Sequence, residues 1–396
     1  MDLNVGVADA LGTDYFYIRE QLTPVQLENL RRAREFVTAE VQPVINGYWE
    51  RAEFPWPLIE KMAPLGFVGD GIEGYGCPPL DPISAGLIYM ELARGDGSLA
   101  TFVGVQAGLA MQSIARCGSQ EQKQRWLPPM ARLEKIGAFA LTEPEHGSDS
   151  IALEASATRD GDSWVINGEK KWIGNGSIAD VVVVWARDTA DRKVKGFLVE
   201  KGTPGFRAQK IEGKGALRCV WQAHIDLQDV RVPESGRLPG ANGFPDVAGV
   251  LVGTRQACAW MALGQAVAGF DIALTYAKRR KQFGQPLASF QIVQERLVRL
   301  LADVTAMQLY CLQIGQLAAQ GRLAPTLAGL AKMHNTSKAR HILHEARDLL
   351  GGNGILLDFH VIRHMADVEA VHTFEGTETI QTLIVGRDIT GIGAFT

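Results

Sequence analysis

The feature that most constrains this chain is a double change of apolar period. Up to about residue 136 the apolar residues recur at helical spacing. From 137 to about 240 they fall into short strand-length runs between turn dipeptides, and beyond Pro245 the helical period returns in much longer pieces. A chain of 396 residues is too long for one compact core. The period changes therefore predict an α+β multidomain protein: an N-terminal helical domain (1–136), a small antiparallel β domain (137–240) and a C-terminal helical bundle (241–396).

Local signals place the elements. Thr23 to Gln26 reads as a capping box with Pro24 at the first helical position, and Leu27, Leu30, Val37 and Val41 then share a face up to Pro43. Helices are expected over 57–65, 82–92 and 100–115, the last buried, and a second capping box at Ser119 opens a helix running to Pro128. Asp160-Gly161 and Asn167-Gly168 read as turns between strands. Strands are expected near 154–158, 164–166, 171–173, 181–185, 196–200, 206–211 and 223–227. The long helices are expected over 247–280, 290–318, 325–350, 359–368 and 378–389.

Bulk properties exclude several classes. A net charge of -4 and a pI near 6.1 argue against a nucleic-acid footprint. The five cysteines are scattered and lack C-x-x-C spacing, which argues against a disulfide framework or a zinc site. The N-terminus lacks the basic-then-apolar order of a signal peptide, the C-terminus carries no peroxisomal tripeptide, and apolar runs such as 181–186 are too short to span a bilayer. The expectation is a cytoplasmic protein without membrane partners.

Several motifs could carry chemistry. Near the C-terminus, F-E-G-T sets Glu375 on a loop before a helix, where a carboxylate can be aimed into a cleft as a general base; on its own the motif reads first as a solvated glutamate. L-T-E-P-E-H-G-S-D (141–149) gathers hydroxyls and amides suited to carbonyls and phosphates, or serves as a polar linker. Trp172-Ile173-Gly174-Asn175 offers an indole and an abrupt glycine turn. R-R-K-Q-F-G (279–284) ends a helix in cations, and L-L-G-G-N-G (349–354) permits close backbone approach. His341 with His344, and His360 with His364, lack the glutamate of a zincin pattern, so no metal is expected. No G-x-S-x-G nucleophile motif occurs.

In this order, L-T-E-P-E-H-G-S-D, N-G-E-K-K-W-I-G-N, R-K-Q-F-G, L-L-G-G-N-G and F-E-G-T resemble the acyl-CoA dehydrogenase family over nearly the whole chain. Y-W-E-R-A-E-F-P, V-I-R-H and G-R-D-I-T-G-I look most like its glutaryl-CoA dehydrogenase and plant short-chain acyl-CoA oxidase branch. The resemblance implies non-covalent FAD in a homotetramer of fatty-acid β-oxidation type. Phe139, Leu141, Thr142, Gly147, Ser148, Trp172, Ile173 and Gly174 would lie on the flavin and pyrophosphate. Arg280, Phe283 and Gln291, with Asp348, Gly351 and Gly352, would hold the adenosine end across a subunit boundary. Thr377 and Thr379 would contact the cofactor, while Ser148, Arg255, Gly376 and Arg387 would lie on the substrate side.

The resemblance also implies a mechanism. Glu375 would take the α-proton of an acyl-CoA thioester while the β-hydrogen leaves as hydride to flavin N5, giving the trans-2-enoyl-CoA. Thr254 stands where some relatives carry the base, and a threonine cannot serve. Two departures bear on subclass. Ala100 and Ala93 replace the Arg and Glu that glutaryl-CoA dehydrogenases use, so a short uncharged acyl group is expected, with Phe102 shortening the pocket. Gly174 replaces a flavin-bonding Thr, as in the plant oxidases, and is expected to open space at the reactive edge. Reoxidation by electron-transfer flavoprotein or by oxygen, giving peroxide, both stay open, as do glutaryl-CoA dehydrogenation and a non-catalytic scaffold.

Overall fold

A computed structural model describes residues 13–394. The N-terminal decapeptide and Phe395-Thr396, on which the readings of leader and terminal tripeptide rest, lie outside the described residues.

The Thr23 capping box is formed and opens α1 (Pro24–Phe36). A π-type turn, Val37–Val41, prolongs the helix, with Leu30, Val37 and Val41 buried but Leu27 turned outward at 38% exposure. α2 (Ile45–Arg51), unmarked by periodicity, precedes α3 (Trp56–Met62) and α4 (Pro82–Gly95). Asp81 caps α4 through its side chain. α5 (Gly97–Val103), a π-type stretch (Gly104–Met111) and α6 (Gln112–Cys117) form one helical run, buried without interruption from 97 to 111. α7 (Gln120–Ala131) starts at the Ser119 capping box but continues past the expected stop, with Pro128 and Pro129 inside its last turn, each at the cost of one amide hydrogen bond.

The β domain comprises β1 (Gly137–Ala140), β2 (Ser156–Asp160), β3 (Ser163–Gly174), β4 (Val181–Asp188), β5 (Val194–Glu200), β6 (Phe206–Lys210) and β7 (Gln222–Pro233). Its order is β1-β4-β2-β3-β7-β6, with β5 also on β4. β1 and β2 pair with β4 in parallel, while the remaining pairings are antiparallel. Asn167-Gly168 does not turn the chain: it is a bulge inside the single strand β3, where Gly168 at φ +139° lets the backbone pass Ala155. In β4 the alternation serves two cores. Val181, Val183 and Trp185 pack on the helices, whereas Val182, Val184 and Ala186 pack inside the β domain.

α8 (Phe244–Arg279) crosses the molecule, and its middle is buried all round. The hairpin β8 (Lys281–Gln282) and β9 (Gln285–Pro286) leads to α9 (Gln291–Ala319), α10 (Pro325–Leu349), α11 (Val361–Thr373) and α12 (Glu378–Thr390). One expectation is corrected. Three helical runs, Gly97–Cys117, α8 and α9, are long and apolar enough to cross a membrane by length and composition. The first two are 83% buried in the fold over their apolar windows, so the core accounts for that apolarity.

Candidate active site

The F-E-G-T segment links α11 to α12. Thr377 caps α12 by accepting from the Ile380 amide at 3.3 Å. Glu375 (φ 57°) and Gly376 (φ 83°) both take left-handed backbone, which reverses the chain and turns the Glu375 side chain inward. A β-carbon on Gly376 would stand 2.3 Å from Gln381 Nε2, the amide that donates to the Glu375 carbonyl at 3.0 Å. Glycine is required here on both counts.

Two helices hold the Glu375 loop. From α8, the Thr254 hydroxyl donates to Oε2 at 2.6 Å; the same hydroxyl lies 3.0 Å from the Leu251 carbonyl, the competing acceptor for its single proton. Arg255, next in sequence, supplies a positive charge, and its Nε has no hydrogen-bond partner among the described residues. From α10, the fully buried Lys332 ammonium donates to the carbonyls of His372 (3.1 Å), Phe374 (2.6 Å) and Gly376. Glu375 is deep within the protein yet keeps accessible surface. Burial raises its carboxyl above the usual range, against the Thr254 hydrogen bond and the Arg255 and Lys332 charges. A carboxylate with raised proton affinity is chemically able to serve as a general base.

A second group of expected residues gathers at one end of the sheet. Phe139 and Leu141 are buried at the end of β1, with Phe139 against Trp185 at 5.9 Å. The loop carrying Thr142, Gly147 and Ser148 is tied down where sequence reasoning gave no warning. Lys170, buried in β3, donates to the Leu141 carbonyl (3.0 Å) and to Glu143 (2.8 Å), while Glu143 also accepts from the amides of Glu154 and Ala155. The Thr142 carbonyl accepts from the Lys171 amide. Gly147 and Ser148 are exposed beyond this brace, and a β-carbon on Gly147 would meet nothing within 4 Å. Trp172, at φ 62°, is 55% exposed, whereas Ile173 is buried. At Gly174 the expected open space is absent. A β-carbon there would stand 2.7 Å from Val105 Cγ2, so the helical run 97–117 fills the volume.

The remaining residues stand elsewhere. Arg280 and Gln291 are exposed, Phe283 is 94% exposed on the β8–β9 hairpin, and the Gly351-Gly352 turn packs nearby through Asn353, which donates to Tyr276 at 2.9 Å. Asp348 is held by Arg296 at 2.8 Å. Along α8, Thr254 and Arg279 are about 38 Å apart at 1.5 Å per residue, farther than one dinucleotide can span. Thr379 and Arg387 are exposed on α12. Ala93 and Ala100 are fully buried and bring no cation to the interior. Phe102 packs edge-on against Phe54 at 5.5 Å, which in turn meets Trp221. His341 and His344 are exposed, while His364 is buried and His360 pairs with Asn46. Glu169, His224 and Asp226 converge on the sheet face because Glu169 and Asp226 are cross-strand partners.

Comparison with known proteins covers most of the chain. The family descriptions "Acyl-CoA dehydrogenase, N-terminal domain", "middle domain" and "C-terminal domain" match residues 23–134, 138–230 and 241–390. The short-chain specific acyl-CoA dehydrogenase, mitochondrial, of Bos taurus is 34% identical over 361 residues, 89% of this chain and 87% of that protein. A glutaryl-CoA dehydrogenase from Mycobacterium smegmatis superposes with a TM-score of 0.95 at 39% identity, covering 97% of this chain and 99% of the other. A second structure of a glutaryl-CoA dehydrogenase from that organism, in complex with FADH2, gives 0.95 at 36% identity over the same shares.

Proposed function

This chain belongs to the acyl-CoA dehydrogenase family, and on that premise we propose that it is a FAD-dependent dehydrogenase that converts a short acyl-CoA without a distal carboxylate to its trans-2-enoyl thioester, with Glu375 as the base. The observation that carries the reading is the Glu375 carboxylate, enclosed among Thr254, Arg255 and the Lys332-held loop with its proton affinity raised by burial.

The residues present fit FAD. The braced 141–148 loop offers hydroxyls and unoccupied room at Gly147, and Trp172 presents an indole face that the chain's own core leaves uncovered. When bound, FAD supplies the hydride acceptor for the β-carbon. Glu375 takes the α-proton. Its own amide, which donates to no carbonyl among the described residues, is available to the thioester oxygen as charge develops there. The Arg255 and Lys332 charges favour the ionised carboxylate before transfer, against the burial that raises its proton affinity.

Two features of the interior support a short acyl group without a distal carboxylate: Phe102 is packed against Phe54, which meets Trp221, and the buried alanines at 93 and 100 supply no counter-ion. The 38 Å between Thr254 and Arg279 supports a subunit-shared cofactor, with Arg280, Phe283, Gln291 and the 348–352 turn serving a neighbour in a homotetramer. The exposed Phe283, Ile292 and Val298 supply apolar surface for that contact. Val105 closing the gap at Gly174 favours an electron-transfer flavoprotein over oxygen as acceptor.

The deciding experiment is Glu375→Gln in FAD-loaded protein. Anaerobic bleaching of the flavin by butyryl-CoA is expected to vanish while FAD content and butyryl-CoA binding persist. Bleaching at the wild-type rate would overturn the assignment.

A further inference from the structure

Thr254 has a second face. Its hydroxyl meets Glu375, but its methyl points toward Gly108 in the buried helical run, and two further side chains converge there. A β-carbon on Gly108 would lie 3.1 Å from Asp70 Oδ2, 3.2 Å from Thr254 Cγ2 and 3.5 Å from Tyr89 Oη. An acid and a phenol thus converge beside Gly108 on the far side of Thr254 from the Glu375 carboxylate.

Asp70 and Tyr89 are joined to each other. The Tyr89 hydroxyl donates to Asp70 Oδ2 at 2.7 Å, and the Gln112 side chain anchors the Asp70 carbonyl at 2.7 Å. Tyr89 is 3% exposed. Asp70, like Glu375, is deep in the protein yet partly accessible, and burial pushes its carboxyl up to about 6. Tyr89 is its one side-chain hydrogen-bond partner among the described residues, which leaves the second oxygen with no donor. Phe67, Val68 and Ile72 around it are buried. A carboxylate walled by apolar residues, with one oxygen held by a phenol and the other still accessible, is open to a donor from a bound ligand. The proton transfer assigned to Glu375 makes no use of it.

We propose that Asp70 and Tyr89 form a polar subsite beside the reacting carbons, and that the physiological acyl group carries a hydrogen-bond donor, a hydroxyl or an ammonium, beyond its β-carbon. The proposal rests on the acyl-CoA reading of the Glu375 site. Asp70 accepts the donor through its unpaired oxygen, and Tyr89 holds the carboxylate in place. The same charge repels an acyl carboxylate, in keeping with the missing cations at Ala93 and Ala100. A site built to bond a polar group discriminates strongly against the analogue lacking it, because its own buried group is then left unpaired.

The test uses FAD-loaded protein with butyryl-CoA, 4-hydroxybutyryl-CoA, 4-aminobutyryl-CoA and glutaryl-CoA, scoring kcat/KM by flavin reduction and Kd in the Glu375→Gln background. A preference of ~10-fold or more for one donor-bearing thioester over butyryl-CoA is expected, with glutaryl-CoA poorest. Asp70→Leu should erase that preference for either donor. Asp70→Asn should erase it for the ammonium but retain most of it for the hydroxyl, which separates the two. With Asp70 intact, equal kcat/KM and Kd for all the uncharged and cationic thioesters, or a preference for butyryl-CoA, would overturn the proposal, and that panel decides even if an Asp70 variant fails to fold. Failure to oxidise any of the thioesters would instead strike the dehydrogenase reading itself.

Discussion

The Thr254 hydroxyl donates to the Glu375 carboxylate across 2.6 Å, from the middle of one helix to the loop before another. Burial raises the Glu375 pKa and this hydrogen bond opposes the rise, so removing it must raise the pKa further. In Thr254→Val, the acid limb of the kcat/KM profile should therefore move to higher pH. Activity should fall most on the acid side, where more of the base is protonated. An unshifted limb would show that the hydroxyl spends its proton on Leu251 instead.

Lys332 should behave as a positioning residue. Its ammonium ties three carbonyls on both sides of Glu375, and no other cation among the described residues bonds that loop. In Lys332→Met those buried carbonyls lose their donor, at about 1–3 kcal/mol each when unsatisfied. A lower melting temperature is expected, together with a kcat decrease much larger than any KM change for butyryl-CoA. Lys332→Arg should recover part of the kcat. A kcat loss that merely tracks folded fraction would reduce Lys332 to a structural role.

Long-period features were legible in the sequence; contacts between distant residues were not. The five long C-terminal helices and both capping boxes announce themselves because periodicity and caps are local. Asn167-Gly168 misled, since the same dipeptide that closes a hairpin can also form a bulge when both flanks pair with one partner strand. Glu375 was visible through its motif. Lys332, Gln381, Lys170 and Asp70 were not, because each acts through a partner 6 to 44 residues away in sequence that only the fold brings close. Gly174 read as a vacancy for the same reason: its neighbour Val105 lies on another element.

The Glu143–Lys170 pair should govern cofactor retention. Both side chains are buried, and Lys170 is drawn down to about 8 by burial despite the Glu143 charge. Its folded pKa lies below the unfolded value, so burying the protonated form costs stability below pH 8, and that cost is relieved as pH rises toward the unfolded pKa. Lys170→Met leaves Glu143 with the Glu154 and Ala155 amides but no counter-charge, a break worth about 3–5 kcal/mol. The variant should purify with less FAD per chain and release it faster on dilution. Wild-type FAD content in a folded Lys170→Met protein would separate the brace from the cofactor loop.

The contact between Val105 and Gly174 makes the acceptor question testable. Val105 Cγ2 lies 2.7 Å from where a Gly174 side chain would begin, so these two positions share one volume. Gly174→Thr alone should be badly tolerated, because overpacking a buried contact costs about 1–3 kcal/mol. Val105→Ala paired with Gly174→Thr should restore stability, giving a coupling of opposite sign to the single changes. Val105→Ala alone leaves a gap beside Gly174. If Val105 is what keeps oxygen from the reduced cofactor, peroxide formed per enoyl-CoA under air should rise in this variant by about tenfold, equivalent to ~1.4 kcal/mol of barrier, and fall back in the double variant. Peroxide yield that is already stoichiometric in the wild type, and unmoved by Val105→Ala, would make the protein an oxidase and remove the reason for placing Val105 as the seal.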